Sequence, residues 1–314
     1  MAFADLWRGP GAALALAACV LMSPLAQASF NPWEGVQVID EDFTATADGV
    51  TRHINYLRPP HVAAGAPAIV MLHYNDGNAQ AMANLTDAGE LARDFGVWVI
   101  MPIAAGGKWG INPNNPRNND DVGFLSELID HAVATYGIDA HRVYMTGYSQ
   151  GGNMAVRFAC EQPLKIAAVS AVASTMLTSL SNQCTPPAPT PMMFVDGTAD
   201  QQVPYDGTVV GDCVVTNLCS ISAPAAAQFW AAADGCPTTP TSSEAVDTVD
   251  DGTDIKIDHY GNCTSGARVD LYTVNNGGHT WPGAIDFTPR LGLTSQDIQA
   301  GPRMWSYFFS QFSR

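Results

Sequence analysis

Strand-like and helix-like segments alternate along most of this 314-residue chain. Buried apolar runs at Ala68–His73, Val97–Pro102 and Arg142–Thr146 are separated by segments with helical spacing at Ala79–Phe95 and Val122–Tyr136. Parallel strands need long crossover connections, which are usually helices. The alternation therefore predicts an α/β fold with a mostly parallel central sheet and helices on both of its faces.

The same reasoning extends to the second half of the chain. Asp251-Gly252 is typical of a hairpin turn between two strands. No Pro- or Ser-rich linker divides the segment 29–314, which we expect to be a single catalytic domain. Further strands are predicted at Ile166–Val172, Met192–Val195, Ile255–Tyr260 and Val269–Val274, and further helices at Asn153–Cys160, Pro224–Ala233 and Pro302–Phe312.

The charge balance excludes some classes of partner. Thirty acidic and 14 basic side chains give a net charge of −16, and the three lysines form no basic cluster. Nucleic acids and anionic lipid surfaces both require positive charge on the protein. We therefore expect no nucleic-acid partner and no membrane partner.

Residues 1–28 have the pattern of an export signal. Arg8 precedes the apolar run Gly11–Leu25, and Ala26-Gln27-Ala28 supplies a small-x-small cleavage site. We expect a secreted protein, extracellular or periplasmic, that begins near Ser29. The alternative is a lipid anchor at Cys19, but the apolar run continues past that cysteine.

Six cysteines remain after cleavage at that site, and an even number in an exported protein predicts disulfides. Sequential pairing is our hypothesis for their connectivity. No CxxC motif is present, so we expect no metal site. The predicted pairs are Cys160–Cys184, Cys213–Cys219 and Cys236–Cys263.

The segment Gly147-Tyr148-Ser149-Gln150-Gly151 matches G-x-S-x-G and joins a predicted strand to a predicted helix. That context is typical of a nucleophile elbow, in which the glycines permit a sharp turn and expose the serine. The alternative is a glycine-rich turn with a solvated serine. We interpret Ser149 as the nucleophile.

A serine nucleophile requires a histidine base and an acid that orients it, in the chain order Ser, Asp, His. His279 lies in a loop that follows a predicted strand, whereas His259 lies inside one, so His279 is the predicted base and His259 is structural. Asp200 is the predicted acid because a loop residue reaches another loop more easily. Asp196, at the strand end, and Asp206 are the alternatives.

Two backbone N–H groups should bind the oxyanion that forms during acyl transfer. One is that of Gln150, directly after the nucleophile, and the other comes from the loop after the first core strand. Tyr74 and Asn75 are equal candidates for the second donor. We interpret the neighbouring His73 as a buried brace for this loop.

Aromatic residues near these motifs are candidates for the substrate-binding walls. Trp281 follows the predicted base, Trp109 precedes the Asn-rich loop 112–121, and Tyr148 precedes the nucleophile. Plain packing is the alternative for each tryptophan. A cleft with such walls would suit neutral or aromatic acyl groups.

The motifs together resemble the secreted polyhydroxybutyrate depolymerase / feruloyl esterase family of α/β-hydrolases, from about Asn55 to the end of the chain. The resemblance implies the α/β-hydrolase fold, the catalytic roles of Ser149, Asp200 and His279, and no cofactor. The sequence departs from the family at two positions. Tyr74 follows His73 where the family has a glycine, and Asp196 precedes Gly197 where the family has a histidine. The matching segments are Val122-Gly123-Phe124, 142–149, 197–200 with 203–205, and 278–283.

We therefore expect a serine ester hydrolase of polyhydroxybutyrate-depolymerase type that cleaves hydroxyacid polyesters or their oligomers. The alternatives are a feruloyl or acetylxylan esterase, a β-diketone hydrolase acting on an oxidised polymer, a secreted peptidase and an inactive binding module. Granule-degrading family members carry a linker and a binding domain, which this sequence lacks, so we expect oligomers to be cleaved faster than granules. The expected partner is an ester substrate alone, bound by a monomer.

Overall fold

The centre of the structure is one large β-sheet. The computed structural model describes residues 33–114, 119–208, 219–286 and 288–314, and these lie within one compact unit, Asn31–Arg314. The strands are β1 (Gln37–Thr44), β2 (Thr51–Arg58), β3 (Ala66–Leu72), β4 (Trp98–Pro102), β5 (Ile138–Tyr148), β6 (Ala168–Val172), β7 (Met192–Gly197), β8 (Ser242–Val246), β9 (Asp254–Tyr260) and β10 (Val269–Asn275).

The order of these strands confirms the predicted α/β sheet. It runs β1-β2-β4-β3-β5-β6-β7-β10-β9-β8. The six central strands, β4 to β10 in that order, are mutually parallel, and antiparallel strands flank them on both sides. The carboxyl ends of the parallel strands meet at one edge of the sheet, where sites in such folds are built.

Helices cover both faces of the sheet, as predicted. One apolar cluster joins the sheet to α3, α4 and α6 through Phe124, Phe158 and Trp230. A second cluster joins the other face to α1, α2 and α7. The helices are α1 (Ala79–Thr86), α2 (Ala88–Phe95), α3 (Asp121–Tyr136), α4 (Gln150–Glu161), α5 (Thr178–Ser181), α6 (Ala223–Ala233) and α7 (Ala300–Tyr307).

Two predicted helices differ from those observed. The segment Ala79–Phe95 forms two helices because Asp87 has a left-handed backbone (φ +46°) that interrupts the first. The segment Pro302–Phe312 is helical only to Tyr307 and continues as a 3₁₀ turn at Phe309–Gln311. Asp251-Gly252 lies, as predicted, in the connection between the antiparallel strands β8 and β9.

Two of the three predicted disulfides are confirmed, Cys160–Cys184 and Cys236–Cys263. Cys213 lies outside the described residues, so its pairing with Cys219 stays a prediction. The expected leader, residues 1–28 with Cys19, also lies outside them. In the part of the chain that is described, none of the helices has the length and apolarity needed to cross a bilayer.

Candidate active site

Ser149 stands at a sharp turn between β5 and α4. Its backbone is left-handed (φ +56°), a conformation that costs a non-glycine residue about 1–3 kcal/mol. The flanking glycines let the turn pack closely. A Cβ on Gly147 would lie 2.2 Å from the Gly151 carbonyl carbon, and one on Gly151 would lie 2.2 Å from the Leu72 oxygen. The strand, turn and helix therefore have the geometry of a nucleophile elbow.

The structure brings Ser149, His279 and Asp200 together. His279 Nε2 lies 2.9 Å from Ser149 Oγ, and His279 Nδ1 lies 2.7 Å from Asp200 Oδ2. Because a carboxylate only accepts hydrogen bonds, Nδ1 carries the proton and Nε2 is left to accept from the serine hydroxyl. This is the arrangement that a general base needs to activate a serine.

Asp200 is itself fixed by its own loop. Its second oxygen, Oδ1, accepts hydrogen bonds from the backbone N–H groups of Gln202 (2.7 Å) and Val203 (2.9 Å). Its side chain is almost fully buried. The carboxylate therefore has little freedom to turn away from the imidazole.

Asp196, the alternative acid, points elsewhere. Its Oδ1 accepts from the backbone N–H of Ser174 over 2.8 Å, in the loop after β6. Its Oδ2 is buried and has no hydrogen-bond partner within the described residues. Burial raises the pKa of this carboxyl well above its ordinary value. Asp196 therefore braces the loop after β6 and does not contact the imidazole of His279.

His259 lies on β9, away from the serine. Its Nδ1 is 2.7 Å from Oδ1 of Asp270 on the adjacent strand β10, and Arg268 holds the other carboxylate oxygen. The hydrogen bond to Asp270 raises the pKa of His259. This cross-strand pair gives His259 a structural role in the sheet.

The loop after β3 offers the predicted oxyanion donors beside the elbow. The N–H groups of Asp76 and Gly77 are already bonded, to Gly107 O and Tyr74 O. Within the described residues the N–H groups of Tyr74 and Asn75 have no acceptor, so both stay candidates beside the N–H of Gln150.

His73 holds the loop after β3 through two hydrogen bonds of its imidazole. Its Nε2 accepts from the backbone N–H of Ala104 (3.0 Å), so its Nδ1 donates to the Tyr74 carbonyl (2.7 Å). Burial lowers the pKa of His73, which keeps the ring neutral and this tautomer fixed.

The known proteins to which this chain is similar include several esterases. A family model described as Phospholipase/Carboxylesterase matches residues 112–220. The putative esterase NocK of Nocardia uniformis subsp. tsuyamanensis is 28% identical over 88% of this chain and 85% of its own length. Feruloyl esterase B of Piromyces equi is 26% identical over 68% of this chain, but only 39% of its own length is matched.

A solved structure shares the fold. The acetyl xylan esterase from Aspergillus awamori superimposes with a TM-score of 0.59 over 87% of this chain and 99% of that protein, at 16% identity. The chain has the α/β-hydrolase fold and is similar to esterases. The resemblance to esterases with the α/β-hydrolase fold, the fold class and the class of enzyme, a serine hydrolase of carboxylic esters, are thereby confirmed.

The hydrolase does not expose the aromatic residues that were predicted to line its substrate cleft. Trp109 is 1% exposed, Trp281 is 2% exposed and Tyr148 is 5% exposed. Trp109 Nε1 donates to the His73 carbonyl. Trp281 packs in the apolar cluster between the sheet and α1, α2 and α7. The structure corrects this placement, because these rings have almost no surface left for a substrate.

Three glycines that received no role in the sequence analysis shape the esterase site. A Cβ on Gly197 would lie 2.2 Å from the Gly277 oxygen, and one on Gly278 would lie 2.0 Å from the Leu291 oxygen. The loop after β7, which carries Asp200, and the loop after β10, which carries His279 (the base loop), therefore approach each other through their backbones. The Gly-Gly pair directly before His279 is the signal that could have found this contact.

Proposed function

We propose that Ser149, His279 and Asp200 are the catalytic triad of this esterase. The observation that carries the proposal is the line of hydrogen bonds from Ser149 through His279 to Asp200, at 2.9 and 2.7 Å. Ser149 Oγ attacks the ester carbonyl carbon while His279 Nε2 takes the hydroxyl proton. The ester C–O bond then breaks, the imidazolium protonates the departing alcohol, and an acyl-enzyme remains.

Deacylation repeats the sequence with water. His279 takes a proton from water, which attacks the acyl carbonyl, and Ser149 Oγ leaves with that proton. The N–H of Gln150, together with that of Tyr74 or Asn75, would bind the oxyanion in both steps. Asp200 holds the imidazole in the tautomer that both steps need.

For the substrate we propose a small, neutral acyl group, and acetyl esters of plant polysaccharide are the first class to test. A large aromatic acyl group would need exposed aromatic rings to stack on. Of the aromatic residues named for this site, Tyr74 is partly exposed, whereas Trp109, Trp281 and Tyr148 are buried, which supports a small acyl group. The names of the feruloyl and acetyl xylan esterases support a polysaccharide ester.

Hydroxyacid oligoesters are the second candidate. A hydroxybutyryl group is also small and uncharged, and the motif resemblance favours the polyhydroxybutyrate-depolymerase type. The −16 charge of the chain disfavours anionic polymers in both cases. The polyester and the β-diketone reactions stay predictions.

Initial rates on a panel of substrates would test the proposal. The panel comprises acetylated xylan, methyl ferulate, 3-hydroxybutyrate oligomers, a β-diketone and a peptide, each with Ser149→Ala as background. We expect acetylated xylan to be cleaved at least tenfold faster than methyl ferulate. Methyl ferulate or the oligomers in first place would overturn the acetyl assignment, and cleavage of the peptide or diketone alone would overturn ester hydrolysis itself.

A further inference from the structure

Tyr148 touches the candidate base at two points. Its hydroxyl donates to the main-chain carbonyl oxygen of His279 over 2.6 Å. Its ring lies 5.1 Å from the His279 imidazole, centroid to centroid, at an angle of 37°. On its other side, the ring of Tyr74 meets it edge-on at 5.7 Å. Tyr148 thus contacts both the loop after β3, through Tyr74, and the base loop, through His279.

We propose that Tyr148 is a positioning residue that sets the separation between the Ser149 hydroxyl and the His279 imidazole. The proposal rests on the triad proposed above. Tyr148 is covalently bonded to Ser149 and its hydroxyl is hydrogen-bonded to His279. It therefore links the two reacting residues directly, without the strands of the sheet that separate β5 from β10. Acyl transfer requires this span, because a base must lie within about 2.6–3.2 Å of the proton it removes.

The base loop needs such a restraint. His279 lies four residues after the end of β10, and its own N–H bonds only to Leu291 O within another loop. The Tyr148 hydroxyl joins that loop to β5, a strand in the middle of the sheet. Sites carried on rigid elements hold their geometry more precisely than sites carried on loops alone.

We expect the hydrogen bond between Tyr148 and His279 to be independent of pH over the range of an activity assay. Burial raises the pKa of Tyr148 above the ordinary phenol value, so the hydroxyl keeps its proton. The carbonyl of His279 does not titrate. Loss of the hydroxyl should therefore lower the rate by the same factor at pH 7 and pH 9.

Tyr144 on the same strand provides a matched control. It is also buried, and its hydroxyl also donates to a main-chain carbonyl, that of Phe312, over 2.7 Å. Its ring stacks on Phe309 at 5.0 Å, outside the site. Tyr144→Phe thus removes an equivalent hydrogen bond at a comparable stability cost, without touching His279.

The test compares Tyr148→Phe with Tyr144→Phe and Ser149→Ala on one soluble ester. We expect Tyr148→Phe to lose at least tenfold in kcat with KM unchanged within twofold, while Tyr144→Phe keeps the wild-type kcat at a similar loss of Tm. Inactivation by a fluorophosphonate should slow in parallel with kcat, because it reports the reactivity of the serine directly.

Equal kcat values for the two tyrosine variants would overturn the positioning role, as would a loss that appears only in KM. The proposed function fails by a different result, the retention of activity by Ser149→Ala. If Tyr148→Phe does not fold, Tyr148→Leu places a smaller apolar side chain at this buried position without the phenol. The same loss of kcat is then expected, and a wild-type kcat in that variant would refute the proposal.

Discussion

Two aspartates four residues apart at the end of β7 have opposite environments. Asp200 accepts three hydrogen bonds, from His279 Nδ1 and from the N–H groups of Gln202 and Val203. Asp196 accepts one, from the Ser174 N–H, and its other oxygen is buried without a partner among the described residues. Hydrogen bonds favour the charged form and burial favours the neutral form. The two carboxyls are therefore suited to different tasks.

Asp200→Asn should lower kcat by about 10⁴, because an amide favours the wrong imidazole tautomer. Asp196→Asn is the matched control, since burial raises the pKa of this carboxyl and an amide of the same shape can still accept from the Ser174 N–H. Its kcat should stay within about tenfold of wild type. Steady-state kinetics on the two purified variants decides this, and the reverse ranking would identify Asp196 as the acid.

Which single residues could be predicted depends on what their role requires. That Ser149, His279 and Asp200 lie side by side was predictable, because each follows a strand of the parallel sheet at its carboxyl end. The roles of Trp109 and Trp281 were not, because exposure depends on which distant segment covers a ring. Trp109 is covered by contacts with His73, 36 residues away, and local sequence carries no signal for that.

The elements of the site are held together by backbone contacts between loops. The N–H of Gly278 donates to Leu293 O and that of His279 to Leu291 O, so the base loop lies directly on the segment 291–293. This approach is possible because residue 278 has no side chain. The position of the imidazole thus depends on a glycine that makes no contact with substrate.

Gly278→Ala should lower kcat by about 10²-fold. The new methyl carbon would lie 2.0 Å from Leu291 O, so the loop must shift, and a displacement near 1 Å can cost this factor. Gly301→Ala in α7 is the control, because its methyl carbon would find only ordinary contacts, the nearest at 3.6 Å. Kinetics and Tm of both variants give the test. A wild-type kcat in Gly278→Ala would show that the loop position does not matter.

The elements that sequence patterns missed or joined have different physical reasons. Strands β1 and β8 are largely exposed, so the apolar alternation that reveals a half-buried strand is weak in them. Asp87 interrupts the first predicted helix through its backbone conformation, although the helical spacing of apolar residues continues across it. The parallel core was predictable because its strands are continuous apolar runs buried on both sides.

At the scale of the whole molecule, buried carboxyls make stability depend on pH. Burial raises the pKa of Asp234 to about 7. Among the described residues, its Oδ1 accepts from the Thr190 N–H and its Oδ2 has no partner. Because the folded-state pKa of Asp234 lies above its unfolded-state value, the contribution of the protonated carboxyl to the free energy of unfolding is fully present below about pH 4. It is lost as the pH rises through about 7.

Asp234→Asn should therefore gain in Tm relative to wild type between pH 5 and pH 8. The amide oxygen can still accept from Thr190, and the amide never ionises. Asp250→Asn, at an exposed position, is the control and should keep a constant difference from wild type. Thermal unfolding at several pH values measures this. A constant difference for Asp234→Asn as well would mean that Asp234 does not titrate in this range.

The fold brings together the carboxyl ends of β3, β5, β7 and β10, where the proposed triad and oxyanion donors lie. The kcat of Ser149→Ala tests the proposed acyl-enzyme mechanism most directly. Removing the nucleophile should lower kcat by on the order of 10⁴–10⁶ while the circular dichroism and Tm stay near those of wild type. In the wild type, an acetyl ester quenched early should add one acetyl group to the peptide that contains Ser149. Retention of more than a few per cent of activity by Ser149→Ala, or an acyl group on another residue, would contradict the account.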